Sequence, residues 1–249
     1  MNLQFQHVSF AYPSQAPVLV DISFAVGERE VVLLLGRNGA GKSTLLKLFN
    51  GILRPAAGAI LLDGNPTGSL STAALAGHIA VTFQNPADQI FASTVREEIS
   101  FGPRNLKRNN VSDLVEESLK RFGFAQNAGE HPYDLLPARR KLLTVASAIA
   151  SDCPLLAFDE PSAGLSQPEW MLLKDALSRL IDREKSVFIV SHDLDLFFPL
   201  ASRILILHAG RIAFHGGQQE FLSEADTLKR WGLRLPSLNR IAKMVESSG

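Results

Sequence analysis

Short apolar runs separated by turn residues fill the first part of the chain and predict a β-rich beginning. Residues 3–10 alternate between apolar and polar side chains, which is the pattern of a strand with one buried face. A second strand is predicted over 18–26, after the turn residues 13–17. The wholly apolar segment 31–35 predicts a strand that is buried on both faces.

The pattern changes near residue 86 and changes back near residue 150. Two further strands are predicted before this segment, at 60–64 and 79–83. Helices are predicted within it at 111–122 and 139–150, where apolar residues recur at helical spacing. Buried strands and a helix then alternate, at 155–158, 169–183, 187–190 and 204–207. This alternation predicts an α/β core with a parallel sheet, a helical lobe inserted over about 86–150, and a mostly helical appendage at 216–249.

A glycine-rich segment follows the buried strand 31–35 and precedes a helix predicted at 42–50. It reads Gly36-Arg37-Asn38-Gly39-Ala40-Gly41-Lys42-Ser43-Thr44, which fits the pattern G-x-x-x-x-G-K-S. A strand, a glycine-rich turn and a helix N-terminus in this order aim backbone N–H groups at one point. We therefore predict a nucleoside-triphosphate site in which Lys42 reaches the β- and γ-phosphates and Ser43 ligates Mg²⁺. The predicted nucleotide-binding residues of this loop are Gly36, Asn38, Gly39, Ala40, Gly41, Lys42, Ser43 and Thr44.

Two adjacent carboxylates end another buried strand. Asp159 and Glu160 follow the apolar run 155–158. An acid at a strand end near a phosphate turn can hold Mg²⁺, and its neighbour can polarise an attacking water. A solvated acidic turn before Pro161 is the alternative explanation, and it is less favoured beside a phosphate-binding turn.

Three single residues occupy positions that suit the same site. Gln84 follows the strand 79–83 and can contact Mg²⁺ or the water, and His192 follows the strand 187–190 and can bind the γ-phosphate. Tyr12 can stack on a purine ring. Taken alone, each has an ordinary structural explanation, as a surface glutamine, a structural histidine or an aromatic ring packed beside a proline.

The order of these features resembles the ATP-binding-cassette (ABC) ATPase family over about residues 1–215. The resemblance implies an α/β P-loop NTPase fold with a parallel-sheet core, an N-terminal antiparallel β subdomain and an inserted helical subdomain. It implies ATP and Mg²⁺ as ligands and a head-to-tail dimer in which each ATP lies between one chain's phosphate loop and the other chain's signature motif. It also implies catalytic roles for Glu160, His192 and Gln84, metal ligation by Ser43, Gln84 and Asp159, and adenine stacking on Tyr12.

Three segments resemble more closely the ATPases of energy-coupling-factor importers, which take up vitamins or transition-metal ions. They are Phe-Gln-Asn-Pro-Ala-Asp-Gln-Ile-Phe at 83–91, Phe-Gly-Pro-Arg-Asn-Leu at 101–106 and Trp-Gly-Leu-Arg-Leu-Pro at 231–236. A glutamine loop and packing helix common to all ABC importers would also explain 83–106. The closer resemblance implies a peripheral protein on the cytoplasmic face of the membrane. Its partners would be a transmembrane coupling subunit and a substrate-binding membrane subunit.

The chain departs from the family at the signature motif, Leu-Ser-Gly-Gly-Gln, where it has Leu135-Leu136-Pro137-Ala138-Arg139. Leu136 lacks the serine hydroxyl, Pro137 lacks the N–H of the first glycine, and Ala138 adds a methyl group to the second. We predict that the ATP-facing half of the chain is intact and that this trans-acting half is degraded. The expected partner is a second ABC ATPase subunit, in a heterodimer rather than a homodimer. The basic stretch 139–141 either compensates by its charge or is an exposed basic turn.

Composition excludes several classes of function. The chain of 249 residues has 25 basic and 25 acidic side chains, which does not favour nucleic-acid binding. Its one cysteine, Cys153, excludes a disulfide framework, and its apolar runs are too short to span a bilayer. The alternative functions are a regulatory ABC subunit that binds ATP with little hydrolysis and a soluble ABC ATPase outside transport. The second is disfavoured because the chain carries one cassette and no zinc motif.

Overall fold

The computed structural model describes residues 1–233 and 235–237. The strands are β1 (Leu3–Ala11), β2 (Pro17–Val26), β3 (Val31–Leu35), β4 (Ala57–Leu62), β5 (Asn65–Pro66), β6 (Ile79–Thr82), β7 (Leu155–Asp159), β8 (Ser186–Val190), β9 (Arg203–His208) and β10 (Arg211–Gly216). The α-helices are α1 (Lys42–Phe49), α2 (Thr72–Ala76), α3 (Val95–Asn105), α4 (Val111–Arg121), α5 (Pro137–Ala150), α6 (Gln167–Asp182), α7 (Leu194–Phe197), α8 (Gln218–Ser223) and α9 (Ala225–Arg230). None of these helices is both long enough and apolar enough to cross a membrane.

The strands form two sheets, as predicted for an α/β P-loop NTPase. The smaller sheet is antiparallel, in the order β2-β1-β4-β5. The larger sheet has the order β10-β9-β3-β8-β7-β6, and its pairs are parallel except for β9 with β10. The carboxyl ends of β3, β8, β7 and β6 therefore lie side by side along one edge, which is where open α/β sheets bind ligands.

Four aromatic rings join the two sheets behind the phosphate loop. Phe5 and Phe24 of the antiparallel sheet stack with their centroids 4.7 Å apart. Phe49 at the end of α1 lies 5.2 Å from Phe5 and 4.7 Å from Phe188 of β8. All four residues are buried. Because Phe49 is anchored between both sheets, the helix that opens at the phosphate loop has a fixed position.

The helical lobe lies between β6 and β7 in the chain and is built from α3, α4 and α5. Its apolar side chains belong to the core on the other face of the large sheet, together with those of α6. The helix predicted at 139–150 begins two residues earlier, at Pro137, with Leu136 as its N-cap. Proline is well suited to this first position, since its missing N–H has no helical acceptor there.

The segment predicted as a helical appendage begins with α8 and α9. Phe221 and Leu228 are fully buried in the core beneath the large sheet, and Trp231 packs against the same core. The division of the chain at residue 215 stays a prediction. The rest of the predicted appendage, at 234 and 238–249, lies outside the described residues.

Candidate active site

One cavity of about 1060 Å³ opens at the shared carboxyl edge of the large sheet. The loop after β3, Gln84 after β6, Glu160 after β7 and His192 after β8 all line it. The predicted site residues in its wall are Gly36, Asn38, Gly39, Gly41, Lys42, Ser43, Thr44, Gln84, Asp159, Glu160 and His192. Residues that are distant in sequence thus meet in one place because four neighbouring strands end there.

Two predicted residues lie next to the cavity rather than in its wall. Ala40 is buried inside the phosphate loop. The hydroxyl of Tyr12 lies 3.2 Å from the hydroxyl of Thr44, and its ring packs edge-on against Phe10. Tyr12 is therefore attached to the loop through Thr44, and its predicted role in adenine stacking stays a prediction.

Glycine is required at two positions of the phosphate loop. A Cβ on Gly36 would lie 2.4 Å from the carbonyl oxygen of Leu207 on β9. Gly41 has a φ of +104°, and a Cβ there would lie 2.8 Å from the Leu19 side chain. The loop is therefore closely packed against strands of both sheets, while its other side faces the cavity.

The Lys42 side chain folds back onto the start of the phosphate loop. Its Nζ donates to the carbonyl oxygens of Gly36, at 2.8 Å, and Arg37, at 3.1 Å. Burial lowers the pKa of Lys42, and the carboxylates of Glu160 and Asp159 oppose that shift. A buried ammonium group at the N-terminus of α1 provides a strong point of attraction for an anion such as a phosphate.

Ser43 and Asp159 supply the oxygen donors that suit Mg²⁺. The Ser43 hydroxyl donates to Oδ2 of Asp159 over 2.7 Å. Burial raises the pKa of Asp159, and the hydrogen bond from Ser43 opposes that shift. Hard cations prefer such oxygen ligands and complete their shell with phosphates and water. Within the described residues no three His, Cys, Asp or Glu side chains form a metal cluster.

Glu160 is held at the end of β7 by contacts with the end of β8. Its Oε2 lies 2.8 Å from Nδ1 of His192 and accepts from the Ser191 hydroxyl at 3.3 Å. Its backbone N–H donates to the carbonyl of Val190 at 2.8 Å. Glu160 has a φ of +48°, which is uncommon for a residue other than glycine. This turn directs the carboxylate towards His192, whose side chain is mostly exposed to the cavity.

Ser191 is a contact that sequence reasoning missed. It precedes His192 and is fully buried, and its hydroxyl also accepts from the backbone N–H of Asp193. In the sequence, Ser191 is a serine directly after a predicted strand, and nothing near it indicates a contact with Glu160. Its contact with Glu160 depends on the pairing of β7 with β8, which the local pattern does not reveal.

The stretch Leu136-Pro137-Ala138, which is predicted to be a degraded signature motif, forms the N-terminus of α5. Leu136 is 71% exposed, which is unusual for a leucine, and Pro137 is the first residue of the helix. The expectation that the stretch 139–141 is an exposed basic turn requires correction, whereas compensation by its charge stays a prediction. Arg139 donates to the carbonyl oxygens of Phe122 and Gly123 and lies over the Phe124 ring. A guanidinium with these contacts is not a freely exposed charge.

Lys141 also contradicts the expectation of an exposed basic turn, because only 3% of this residue is exposed. Its Nζ donates to the carbonyl oxygens of Phe83, Gln84 and Asp159, at 3.2, 2.8 and 3.0 Å. Sequence reasoning missed this residue. The available signal was its position one turn after Pro137 and directly before the buried pair Leu142 and Leu143.

Comparison with known proteins gives consistent matches. Residues 19–163 match the family model for the ABC transporter. The energy-coupling factor transporter ATP-binding protein EcfA of Methanocaldococcus jannaschii is 36% identical over 95% of this chain and 85% of its own length. The structure of cbiO1 from Clostridium perfringens, part of the ABC transporter complex cbiONQ, is 28% identical. The similarity covers 97% of this chain and 98% of that one, with a TM-score of 0.77.

A third match concerns the fold alone. An ATP-binding cassette solved as a dimer in a post-hydrolysis state with ADP and Pi has a TM-score of 0.79 at 21% identity. The similarity covers 87% of this chain and 98% of that one.

Proposed function

The chain belongs to the ABC transporter family of ATP-hydrolysing subunits, and from this premise we propose that it powers a membrane importer of the energy-coupling-factor type. The observation that carries the proposal is the cavity in which the phosphate loop, Asp159, Glu160 and His192 meet. Similarity to EcfA and cbiO1 supports the importer class. The cargo of such a system is a vitamin or a transition-metal ion, and the chain works at the cytoplasmic face of the membrane.

The substrate is ATP with Mg²⁺. The phosphate loop binds the phosphates through its backbone N–H groups, and Lys42 exchanges its carbonyl contacts for the β- and γ-phosphates. Ser43, Asp159 and Gln84 would hold Mg²⁺, which would neutralise charge on the phosphates. Tyr12 stacks on the adenine ring.

Glu160 acts as the general base that orients and polarises the attacking water. Its buried carboxylate lines the cavity next to Asp159, and this location supports the role of a base for a water bound beside the γ-phosphate. His192 holds Glu160 in the free protein and contacts the γ-phosphate when ATP is bound. Because the His192 imidazole is mostly exposed, it can turn from Glu160 to the γ-phosphate.

We further propose that the chain pairs with a second ATPase that has an intact signature motif. The exposed Leu136 offers a partner's γ-phosphate an apolar side chain where the family has a hydroxyl, and Pro137 offers no N–H. A hydrogen bond to a charged group is worth about 1.5–3 kcal/mol, so the loss of two weakens catalysis at that site by about 10²–10⁴-fold. The productive site of the heterodimer is then built on this chain's phosphate loop and the partner's signature.

Two exposed aromatic rings near the loop that carries Gln84 form a surface suited to binding a membrane partner. Phe91 is 62% exposed and Phe101 is 49% exposed, and their rings meet edge to face 4.5 Å apart. The loop under Phe91 is fixed, since the buried carboxylate of Glu98 accepts from the N–H groups of Phe91 and Ala92. A firm apolar pair of this kind is typical of an interface anchor.

Replacing Phe91 with glutamate is expected to prevent stable association with the transmembrane coupling subunit, because a charge would be buried in an apolar contact. The measurement is co-purification of the tagged chain with the membrane subunit after co-expression. Met171→Glu, at an exposed methionine of α6 outside the lobe, is the matched control and should co-purify normally. Normal co-purification of Phe91→Glu would refute this docking surface, provided that both variants bind ATP like the wild type.

The experiment that tests the proposed function compares ATP binding with steady-state Mg-ATPase turnover, first for the purified chain alone and then for the assembled complex. We expect the chain alone to bind ATP and turn over slowly, and the complex to turn over at least ten times faster. Failure to bind ATP would overturn the ATPase assignment. Rapid turnover of the chain alone would overturn the pairing and leave the ATPase assignment intact.

A regulatory subunit that binds ATP with little hydrolysis is the second candidate. The observation that favours it is the degraded stretch Leu136-Pro137-Ala138. The contact between Glu160 and His192 argues against it, since a subunit that only binds ATP has little use for a positioned base. The Glu160→Gln variant, discussed below, distinguishes the two.

A further inference from the structure

Lys141 lies at the junction of three parts of the molecule. It is one turn into α5, on the same side of the helix as Pro137, because residues four apart share a helix face. Its ammonium group extends out of the helical lobe to the end of β6 and the end of β7. The side chain therefore connects the helix that carries the signature stretch to the strands that carry Gln84 and Glu160.

The ammonium group is fully paired with backbone carbonyls. A lysine ammonium has three N–H donors, and three carbonyl oxygens accept from this one at 2.8–3.2 Å. Burial lowers the pKa of Lys141 to about 8, and the charges of Asp159 and Glu160 oppose that shift. A lysine buried at this cost is retained where its hydrogen bonds fix an arrangement that solvent would otherwise loosen.

The three carbonyl acceptors show which parts of the backbone Lys141 orients. The carbonyls of Phe83 and Gln84 belong to the two peptide units on either side of the Gln84 Cα atom, so a single cation orients both. The carbonyl of Asp159 belongs to the peptide that joins Asp159 to Glu160. Glu160 is the residue with the φ of +48°, a conformation that neighbouring contacts must hold in place.

We propose that Lys141 is a positioning residue for ATP hydrolysis, which orients Gln84 and Glu160 together through their backbone while touching neither ATP nor Mg²⁺. This inference rests on the proposed ATPase function. It predicts that substitution of Lys141 lowers turnover but leaves nucleotide affinity unchanged. Nucleotide affinity depends on the phosphate loop, which Lys141 does not contact, whereas turnover depends on the two residues that it orients.

Two substitutions at Lys141 test the inference in the full chain assembled with its partners. Lys141→Met keeps the length of the side chain and removes every donor, and Lys141→Gln keeps one amide group with two donors. We expect kcat to fall at least tenfold in the methionine variant and by a smaller factor in the glutamine variant. KM for ATP should stay within about twofold of the wild type in both. Lys120→Met, at an exposed lysine of α4, is the control and should leave both constants unchanged.

A second readout does not depend on hydrolysis. Amide hydrogen exchange of the nucleotide-free chain should become faster in the segments 83–86 and 159–162 of the methionine variant, while the phosphate loop keeps its wild-type rates. If the methionine variant does not fold, the glutamine variant decides, with the same local change expected at smaller size. Unchanged kcat with unchanged exchange, or a rise in KM equal to the fall in kcat, would overturn the inference. A wild-type complex without ATPase activity would instead refute the proposed function, and the exchange data would still decide the role of Lys141.

Discussion

Replacing Glu160 with glutamine is expected to lower ATPase turnover of the assembled complex by about 100-fold or more, with ATP still bound normally. General-base catalysis contributes about 10²–10⁴-fold, and an amide at this position cannot accept the proton from water. The amide has nearly the shape of the carboxylate and can still contact His192 and Ser191, so the strand ends stay in place. The measurement is kcat of the complex beside the Kd for ATP.

Glu116→Gln is the matched control for this experiment. Glu116 lies on α4 in an exposed ion pair with Arg96, and exposed pairs of this kind contribute little to stability. Its replacement should leave kcat unchanged. Wild-type turnover in Glu160→Gln would favour the regulatory subunit, because hydrolysis in the complex would then occur at the partner's site alone.

The second large effect is expected from restoring the signature motif. The triple substitution Leu136→Ser, Pro137→Gly and Ala138→Gly should raise the turnover of the chain alone by about 100-fold or more at concentrations where it self-associates. It returns a hydroxyl and an N–H to the helix N-terminus, and each hydrogen bond to a phosphate oxygen is worth about 1.5–3 kcal/mol. The gain should depend on protein concentration, since the site forms between two copies.

Two comparisons decide the interpretation of that gain. Leu136→Ala removes the apolar side chain without adding a hydroxyl, so it should recover little activity if the lost hydrogen bonds are the cause. Adding Glu160→Gln to the triple variant should abolish the gain, because the restored site uses the same base. No gain in the triple variant would mean that 136–138 is not a damaged signature.

Residues whose positions are set by their immediate neighbours could be predicted from the sequence. Lys42 and Ser43 follow a glycine-rich turn that joins an apolar strand to a helix, so a short segment of the sequence was enough to predict their position. Asp159 and Glu160 end an apolar strand, and parallel packing brings such strand ends to one edge. For these residues the local pattern and the global fold impose the same arrangement.

The residues that were missed or misassigned depend on contacts between distant segments. Arg139 is held by the turn at Phe122 and Gly123, which packs against α5 only once the lobe has folded. Lys141 pairs with carbonyls at 83, 84 and 159, and nothing in the run of three basic residues shows that these distant carbonyls come within its reach. Basic side chains usually lie at the surface of a protein. This general expectation is wrong for Lys141 because several backbone carbonyls in the interior accept its hydrogen bonds.

The start of α5 also bears on how such a chain comes to differ from its family. Proline at the first helical position and alanine at the second favour a helix, whereas glycine in a helix costs about 0.5–1 kcal/mol relative to alanine. Under the proposed pairing, in which the partner subunit supplies an intact signature, proline and alanine in place of two glycines would make this helix more stable. A return to two glycines would then cost this chain folding free energy, so the proposed division of labour between two subunits would be coupled to the stability of α5.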